Sequence, residues 1–298
     1  MDKARVGFVG FGEVGAALAQ RTLEHGAEVL AYDIRLEEEN GRRELQARNP
    51  GVRFAPLPAV ISDSAYVLAA VPTQACRAVA AQAASYLRAG HVYVDLATIR
   101  PSLKREIAGL ISSTGAAFVE GAILDAVGVA GATAVILLGG ARGREAAEFL
   151  YRMGLNARFY STEIGRASAF QLLRSIFSRG AEALVLEMLI AAARAGLTQS
   201  LWDDVTAFLD RNRFETVAGD WVRTHPAACE RRYWELVEVR ETLRELGLDP
   251  VMTRAAESFF ERSRWLGLRQ AFPAKPETVE PVVQLMMRRL TGSEDACK

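Results

Sequence analysis

The chain has 298 residues, enough for two domains of ordinary size, and half of them are apolar, enough for buried cores. Its 36 basic residues balance its 36 acidic residues, which excludes the basic surface of a nucleic-acid binder and the charge excess of a disordered chain. The three cysteines lie far apart and in no metal-ligand spacing, so we expect no disulfide framework, no metal and a reducing compartment.

The first half of the chain alternates short apolar strands with amphipathic helices, a pattern typical of a parallel sheet covered by helices. Strands are predicted at 6–9, 28–32, 52–54, 66–71, 92–95, 117–119, 134–138 and 158–160. Helices are predicted between them at 13–24, 74–87, 101–112 and 144–153. The charged stretch 37–48 predicts a solvated helix or a loop.

The second half of the chain loses the strand pattern. Residues 164–195 predict one long helix rich in alanine and leucine. Further helices are predicted at 201–210, 214–223, 227–245, 251–266 and 276–290. The sequence therefore predicts an α/β domain over residues 1–162 and an all-helical domain over residues 163–298.

The sequence suggests neither a signal peptide nor a membrane-spanning segment. Met1 leads directly into a strand pattern, and no apolar run reaches the roughly 20 residues that cross a bilayer. We therefore expect a cytoplasmic protein with no membrane partner.

A glycine-rich turn joins the first predicted strand to the first predicted helix. Its residues, all predicted to contact a cofactor, are Gly10, Phe11, Gly12, Glu13, Val14 and Gly15. This spacing, between a strand and a helix, is typical of a dinucleotide-binding turn, in which the helix N-terminus offers N–H donors to phosphates. A plain turn with no ligand is the alternative, which this context disfavours. The first domain is thus predicted to be a Rossmann-type, doubly wound parallel sheet.

An acidic residue ends the second predicted strand. Asp33 lies 18 residues past Gly15, where a carboxylate accepts hydrogen bonds from the adenine ribose hydroxyls. A 2′-phosphate would meet a like charge there, so NAD(H) is favoured over NADP(H). Arg35 could receive that phosphate, and NADP(H) therefore stays the alternative.

Several motifs carry a resemblance to a known family. The segment Asp95-Leu96-Ala97-Thr98-Ile99-Arg100-Pro101 is similar to Asp-x-Ser-Thr-x-x-Pro, and Gly165 to Gln171 looks like Gly-x-Gly-x-x-x-Lys. Residues 6–12, 70–73 and 118–122 add to the match, and 230–236 look like a subgroup with its own C-terminal helical domain. Together they resemble the β-hydroxyacid dehydrogenase superfamily, which includes 3-hydroxyisobutyrate and 6-phosphogluconate dehydrogenases.

The resemblance implies a two-domain enzyme with its active site between the domains and a homodimer built by the helical domain. It also implies cofactor contacts from Val71, Pro72 and Thr98. In the family a lysine on the long helix protonates the carbonyl oxygen, whereas this chain has Gln171 there, and Arg174 replaces an asparagine one turn on. Glutamine can form a hydrogen bond but has no titrating proton to give.

The replaced lysine leaves the proton donor open. Asp125, in the predicted substrate loop, is one candidate, and it could equally cap that loop; Thr98 completes the predicted catalytic set. Tyr233 and Glu235 are weaker candidates. We expect Lys104 to be exposed on its helix, and neither it nor the other lysines, Lys3, Lys275 and Lys298, is a convincing substitute.

A polar stripe marks the start of the long helix. Gln171, Arg174, Ser175 and Ser178 recur at helical spacing and share one face, which favours a wet cleft. Arg174 could bind a carboxylate, phosphate or phosphonate of the substrate, or bridge to an acid in a dimer. The three histidines, His25, His91 and His225, are interpreted as structural.

The sequence leaves three functional hypotheses. The first is an NAD(P)-dependent oxidoreductase acting on a small polar, anionic carbonyl or hydroxy compound. The second is an imine reductase, because an iminium ion carries its own charge and needs less help from an acid. The third is a dinucleotide-binding protein without catalysis.

Overall fold

A computed structural model of the chain describes residues 3–124 and 133–292. The chain divides into two compact units, Met1–Ile176 and Phe177–Lys298. In the described residues, no helix is both long and apolar enough to span a membrane.

The first unit is built on one sheet, whose eight strands in the described residues run in the order β3-β2-β1-β4-β5-β6-β7-β8. The strands are β1 Arg5–Val9, β2 Glu28–Tyr32, β3 Arg53–Phe54, β4 Tyr66–Ala69, β5 Val92–Asp95, β6 Ala117–Ile123, β7 Ile136–Gly139 and β8 Ala157–Ser161. Neighbouring strands are parallel except β6 and β7, which are antiparallel. The predicted strands are thus present, but the predicted parallel sheet contains one antiparallel pair, β6 and β7.

Helices cover both faces of this sheet. They are α1 Glu13–Glu24, α2 Glu39–Arg48, α3 Leu57–Ser62, α4 Cys76–Ala84, α5 Pro101–Ser112 and α6 Gly143–Arg152, with a short 3-10 helix at Ile34–Glu37. Every residue of β4 and β5 is buried, as expected for central parallel strands with an apolar core on each face. Helix α3 was not predicted, whereas the charged stretch predicted as helix or loop contains α2.

The second unit is helical. The long helix α7, Arg166–Ala195, begins in the first unit and ends in the second. It is followed by α8 Thr198–Arg211, α9 Phe214–Glu245, α10 Val251–Arg264, α11 Leu268–Ala271 and α12 Glu280–Thr291. The prediction of two helices at 214–223 and 227–245 is wrong, because α9 continues through Pro226. Proline removes one backbone hydrogen bond and commonly kinks a helix, and packing of the helix on its neighbour can offset that loss.

Candidate active site

The glycine-rich turn lies at the carboxyl end of β1. Gly10 has a φ of 85°, and its N–H donates to the Tyr32 carbonyl at 2.8 Å. A Cβ atom at Gly10 would lie 2.5 Å from the Ala70 carbonyl oxygen. Both the left-handed backbone and the close approach of β4 therefore require glycine here.

The other two glycines have different roles: Gly15 allows close packing, and Gly12 leaves space for a ligand. A Cβ atom at Gly15 would lie 2.3 Å from the Gly10 carbonyl oxygen, so this glycine lets α1 pack against the turn. A Cβ atom at Gly12 would meet nothing within 4 Å, so the backbone there borders open space. No described side chain caps the first turn of α1, which contains Glu13 and Val14. Open space beside uncapped N–H groups fits the pyrophosphate of a dinucleotide.

Asp33 ties the end of β2 to this turn. Its carboxylate accepts hydrogen bonds from the Phe11 N–H at 2.7 Å and from the Arg35 Nε at 2.8 Å. The Arg35 guanidinium also donates to the Phe11 carbonyl at 2.8 Å. Burial alone would raise the pKa of Asp33, but the hydrogen bonds from Arg35 and Phe11 outweigh it, and the pKa lies below its ordinary value. The carboxylate is therefore held ionised and in a fixed position beside the turn.

The carboxyl ends of β4 and β5 complete the cofactor edge of the sheet. Val71 lies against the glycine turn, since a Cβ atom at Gly10 would lie 2.7 Å from its Cγ1. Pro72 and Thr98 are exposed at this edge. The chain order of the strands reverses between β1 and β4, and open α/β sheets bind ligands at such a point.

Gln171 is buried in the first unit, with 8% of its surface exposed. Its Nε2 donates to the Ile123 carbonyl at 2.6 Å and to the Thr98 hydroxyl at 3.2 Å. A carbonyl only accepts, so the amide nitrogen must face Ile123 and the amide oxygen must face away. That oxygen is buried and has no hydrogen-bond partner. The structure thus brings together two of the predicted catalytic residues.

The remaining predicted residues on the long helix lie near Gln171. Arg174 is exposed and its Nη1 donates to the Leu124 carbonyl. The Ser175 hydroxyl donates to the Gln171 carbonyl at 2.9 Å, a bond within the helix, and Ser178 is exposed. Asp125, the predicted proton donor, lies outside the described residues.

Lys104 was expected to be exposed, and this expectation is wrong. It is fully buried, and its Nζ donates to the Asp95 carbonyl at 2.7 Å and lies 3.2 Å from the Asp95 carboxylate. Burial lowers the pKa of Lys104, and Asp95 and Glu120 partly oppose that shift. Lys104 shares the buried face of its helix with Ile107 and Ile111, and the carboxylates of Asp95 and Glu120 stabilise its charge there.

Glu120 helps to form the site, although sequence reasoning assigned it no role. It lies in the segment 118–122 that resembles the family. It is fully buried in β6, and its Oε1 accepts from the Gly165 N–H at 2.8 Å and the Ala167 N–H at 3.0 Å. These groups begin the long helix, so the carboxylate caps the helix that carries Gln171. A Cβ atom at Gly139 would lie 2.6 Å from this oxygen, so glycine leaves room for the cap. The sequence feature that could have identified this residue is a glutamate inside an otherwise apolar strand.

The weaker candidates have structural contacts. The Nδ1 of His91 accepts from the Arg88 N–H at 3.1 Å, and the Nδ1 of His25 lies 2.9 Å from the Arg21 carbonyl oxygen. Tyr233 and Glu235 belong to the helical unit, where an arginine stacks on the Tyr233 ring at 4.4 Å and another pairs with Glu235.

The fold and the glycine turn define a dinucleotide-binding protein of the α/β class. Residues 5–159 match the NAD binding domain of 6-phosphogluconate dehydrogenase, and the chain belongs to this family. Residues 192–263 match a domain of unknown function, DUF1932. The predicted superfamily and the predicted subgroup with its own C-terminal domain are both confirmed.

Three similar proteins extend this result. A conserved protein of unknown function, whose structure is similar to 3-hydroxyacid dehydrogenases, is 33% identical, covers 90% of this chain and 97% of its own, and has a TM-score of 0.57. Mitochondrial 3-hydroxyisobutyrate dehydrogenase from Mus musculus is 24% identical over 67% of this chain and 60% of the mouse protein. The reductive aminase from Aspergillus terreus, solved with NADPH and ethyl levulinate, has a TM-score of 0.76 at 18% identity over 95% of this chain and 99% of its own. This last likeness shows the fold alone.

Proposed function

We propose that the protein is an NAD(H)-dependent oxidoreductase that transfers hydride between nicotinamide and a small polar, anionic carbonyl or hydroxy compound. The observation that carries the proposal is the glycine turn with open space at Gly12, beside a cluster of polar side chains at the ends of β5 and β6. When bound, the nicotinamide would supply or accept the hydride. The family match and the relatives named dehydrogenases support the reaction class.

The preference for NAD(H) follows from Asp33. Its ionised carboxylate lies against the turn, where ribose hydroxyls can donate to it and a 2′-phosphate would be repelled. Arg35, the group that could receive such a phosphate, is paired with Asp33 and with the Phe11 carbonyl. Arg35 is therefore held against the carboxylate whose charge would repel a 2′-phosphate.

Thr98 would position the reacting oxygen, and Gln171 would hold Thr98 in place. The Thr98 hydroxyl accepts from Gln171, so its own hydrogen is free to be donated to a substrate oxygen. We propose that Arg174 binds the anionic group of the substrate, since a guanidinium suits carboxylates and phosphates. Asp125 follows Leu124, to which Arg174 donates, and we keep it as the proposed proton donor.

A second candidate function, imine reduction, is favoured by the orientation of Gln171. Both amide N–H groups have partners, and the buried amide oxygen has none. An acceptor there matches an iminium N–H and offers nothing to a carbonyl oxygen. The likeness of the fold to a reductive aminase is consistent with this candidate.

The two functions and a protein without catalysis are separated by one assay. The purified chain would be mixed with NADH and panels of keto acids or cyclic imines, and the absorbance of the reduced nicotinamide would be followed. We expect turnover with keto acids. Turnover with imines only would favour the second function. NADH binding without turnover on either panel would support a silent dinucleotide-binding protein.

We also propose that the helical unit forms a homodimer. Large apolar side chains are exposed in this unit, among them Trp265 at 82%, Phe177 at 59% and Leu184 at 54%. Exposed apolar surface of this extent is typical of a protein interface. Light scattering at micromolar concentration should give twice the mass of one chain, and the mass of a single chain would refute the proposal.

A cytoplasmic location is inferred from the thiols. Cys76 and Cys229 are free and buried, as expected in a reducing compartment. Cell fractionation should recover the protein with cytoplasmic markers, and recovery elsewhere would contradict this inference.

A further inference from the structure

The helical unit contains a cavity between helices α9, α10 and α12, with a volume of about 500 Å³. Most of the side chains that line it are apolar or aromatic, and two are ionisable: His225 and Arg232. The volume lies within the roughly 300–1,000 Å³ typical of small-molecule sites. This cavity lies within the second unit and takes no part in the proposed hydride transfer.

Aromatic rings form the apolar wall. Trp221, Phe259 and Phe260 all line the cavity. The His225 ring packs edge-on against Phe260, with ring centroids 5.1 Å apart. Such a wall offers both faces and edges to a flat ring of a ligand.

His225 has an unsatisfied polar atom at this wall. Its residue surface is 8% exposed, and its Nε2 is buried without a hydrogen-bond partner. Burial, together with the charge of Arg232, lowers the pKa of His225, so the ring is neutral at neutral pH. A buried polar group without a partner is unfavourable, and a ligand that reaches it would remove that cost.

Arg232 supplies a positive charge with donors to spare. Its Nη1 donates to the Trp221 carbonyl at 3.3 Å and its Nη2 to the Thr224 hydroxyl at 2.8 Å. Across the described residues, no carboxylate lies within 4.0 Å of this guanidinium. The nearby Asp220 is paired with Lys275 and Arg223, and the charge of Arg232 helps those two groups to lower its pKa. A guanidinium has five N–H donors, so three remain for an anion.

We propose that this cavity binds a small aromatic carboxylate, with the ring against Trp221 and Phe260 and the carboxylate on Arg232 and His225. The aromatic wall selects the ring, and the guanidinium, which has spare donors, selects the charge. A neutral compound of the same shape would keep the ring contacts and lose the charge-assisted hydrogen bonds.

Calorimetric titration of the full chain with 1-naphthoate tests the proposal, with 1-naphthylmethanol as the uncharged match. We expect one saturable site per chain and at least about tenfold tighter binding of the carboxylate. Arg232→Gln should weaken 1-naphthoate by about tenfold or more and remove its advantage over the alcohol. His225→Phe, which keeps a ring in place, should weaken 1-naphthoate by a smaller factor.

The control is Arg231→Gln, which removes an arginine at the next position, where the side chain is exposed and paired with Glu235. Its affinity for 1-naphthoate should equal that of the wild type. Absence of saturable binding, or equal loss in the Arg231 and Arg232 variants, would overturn the proposal. A further contradictory result is that 1-naphthoate fails to bind and Val283→Arg converts a dimer to a monomer. A second copy of the chain would then cover the cavity, and the proposal of a ligand site would be wrong.

Discussion

The two units of the chain bury their large apolar side chains to different extents: more of them are exposed in the second unit than in the first. In the first, the central strands are buried at every position and even a lysine and a glutamate are fully enclosed. In the second, the described part of the chain leaves large apolar side chains such as Trp265 and Leu184 in contact with solvent. The first unit therefore completes its own core, whereas the surface of the second suits partners and ligands.

Two lysines make this comparison measurable, since each is paired with one aspartate. The Lys104–Asp95 pair is 0% and 2% exposed, and the Lys275–Asp220 pair is 48% and 44% exposed. Lys104→Met should destabilise the first unit by roughly 3–5 kcal/mol, because Asp95 is left buried and uncompensated. Lys275→Met should cost less than about 1 kcal/mol, as exposed pairs do.

Urea unfolding of both variants gives these two free energies. Equal losses from the two substitutions would contradict the contrast between an enclosed and an open unit. A large loss of unfolding free energy from Lys275→Met, with little loss from Lys104→Met, would reverse that contrast.

The next largest effect is expected at Gln171. Gln171→Ala should lower turnover by about 10–100-fold, because it removes the bonds that hold Thr98 and the end of β6 in place. Glu182→Gln, an exposed substitution further along the same helix, is the control and should leave turnover unchanged. If Gln171→Ala is as active as the wild type, Gln171 has no part in the reaction.

The anion-binding role of Arg174 predicts a change in substrate affinity. Arg174→Ala should raise KM for an anionic substrate by about tenfold with a smaller change in kcat, because a charge-assisted pair made in ground and transition states is lost. Steady-state kinetics with the acid and its methyl ester measure this. Equal KM increases for the acid and the ester would show that Arg174 does not bind the negative charge of the substrate.

The smallest effect is expected at the cofactor turn. Asp33→Asn keeps the shape and removes the charge, so the preference for NADH over NADPH should narrow by about 1–2 kcal/mol. Fluorescence titration with both cofactors measures the change. A wild type that prefers NADPH would show that Asp33 was misassigned and would point to Arg35.

The lowered pKa of Asp33 adds a pH dependence to the same measurement. The ordinary pKa of an aspartate is about 3.9. Because the pKa of Asp33 lies below that value in the folded chain, its carboxylate stays charged at every pH above about 3.9 and is protonated only at lower pH. The affinity of the wild type for NADH should therefore stay constant from about pH 8 down to about pH 5. A fall over that range would indicate a titrating group other than Asp33.

The sheet was predictable because its signal is local. Buried strands of four or five apolar residues, separated by amphipathic helices, gave each strand within a few residues of its observed bounds. Helix α3 is only six residues long, Leu57–Ser62, too short for a helical period to show. The continuous α9 was missed because a proline predicts a break, and tertiary packing overrode that preference.

The site was predictable only where backbone geometry fixes the residue. Gly10, Gly15 and Asp33 follow from the turn itself, whereas the buried Lys104 depends on carboxylates from other elements. Sequence position alone does not show that Asp95 and Glu120 converge on that lysine. The orientation of the Gln171 amide likewise depends on a carbonyl 48 residues away in the chain.

Transfer of deuterium from NADH labelled at the nicotinamide C4 most directly tests the account, with the product analysed by mass spectrometry. With a keto acid as substrate, the wild type should move one deuterium to the carbon of the new alcohol, and Gln171→Ala should do so more slowly. Tight binding of NADH with no deuterium in any product would contradict the assignment of an oxidoreductase.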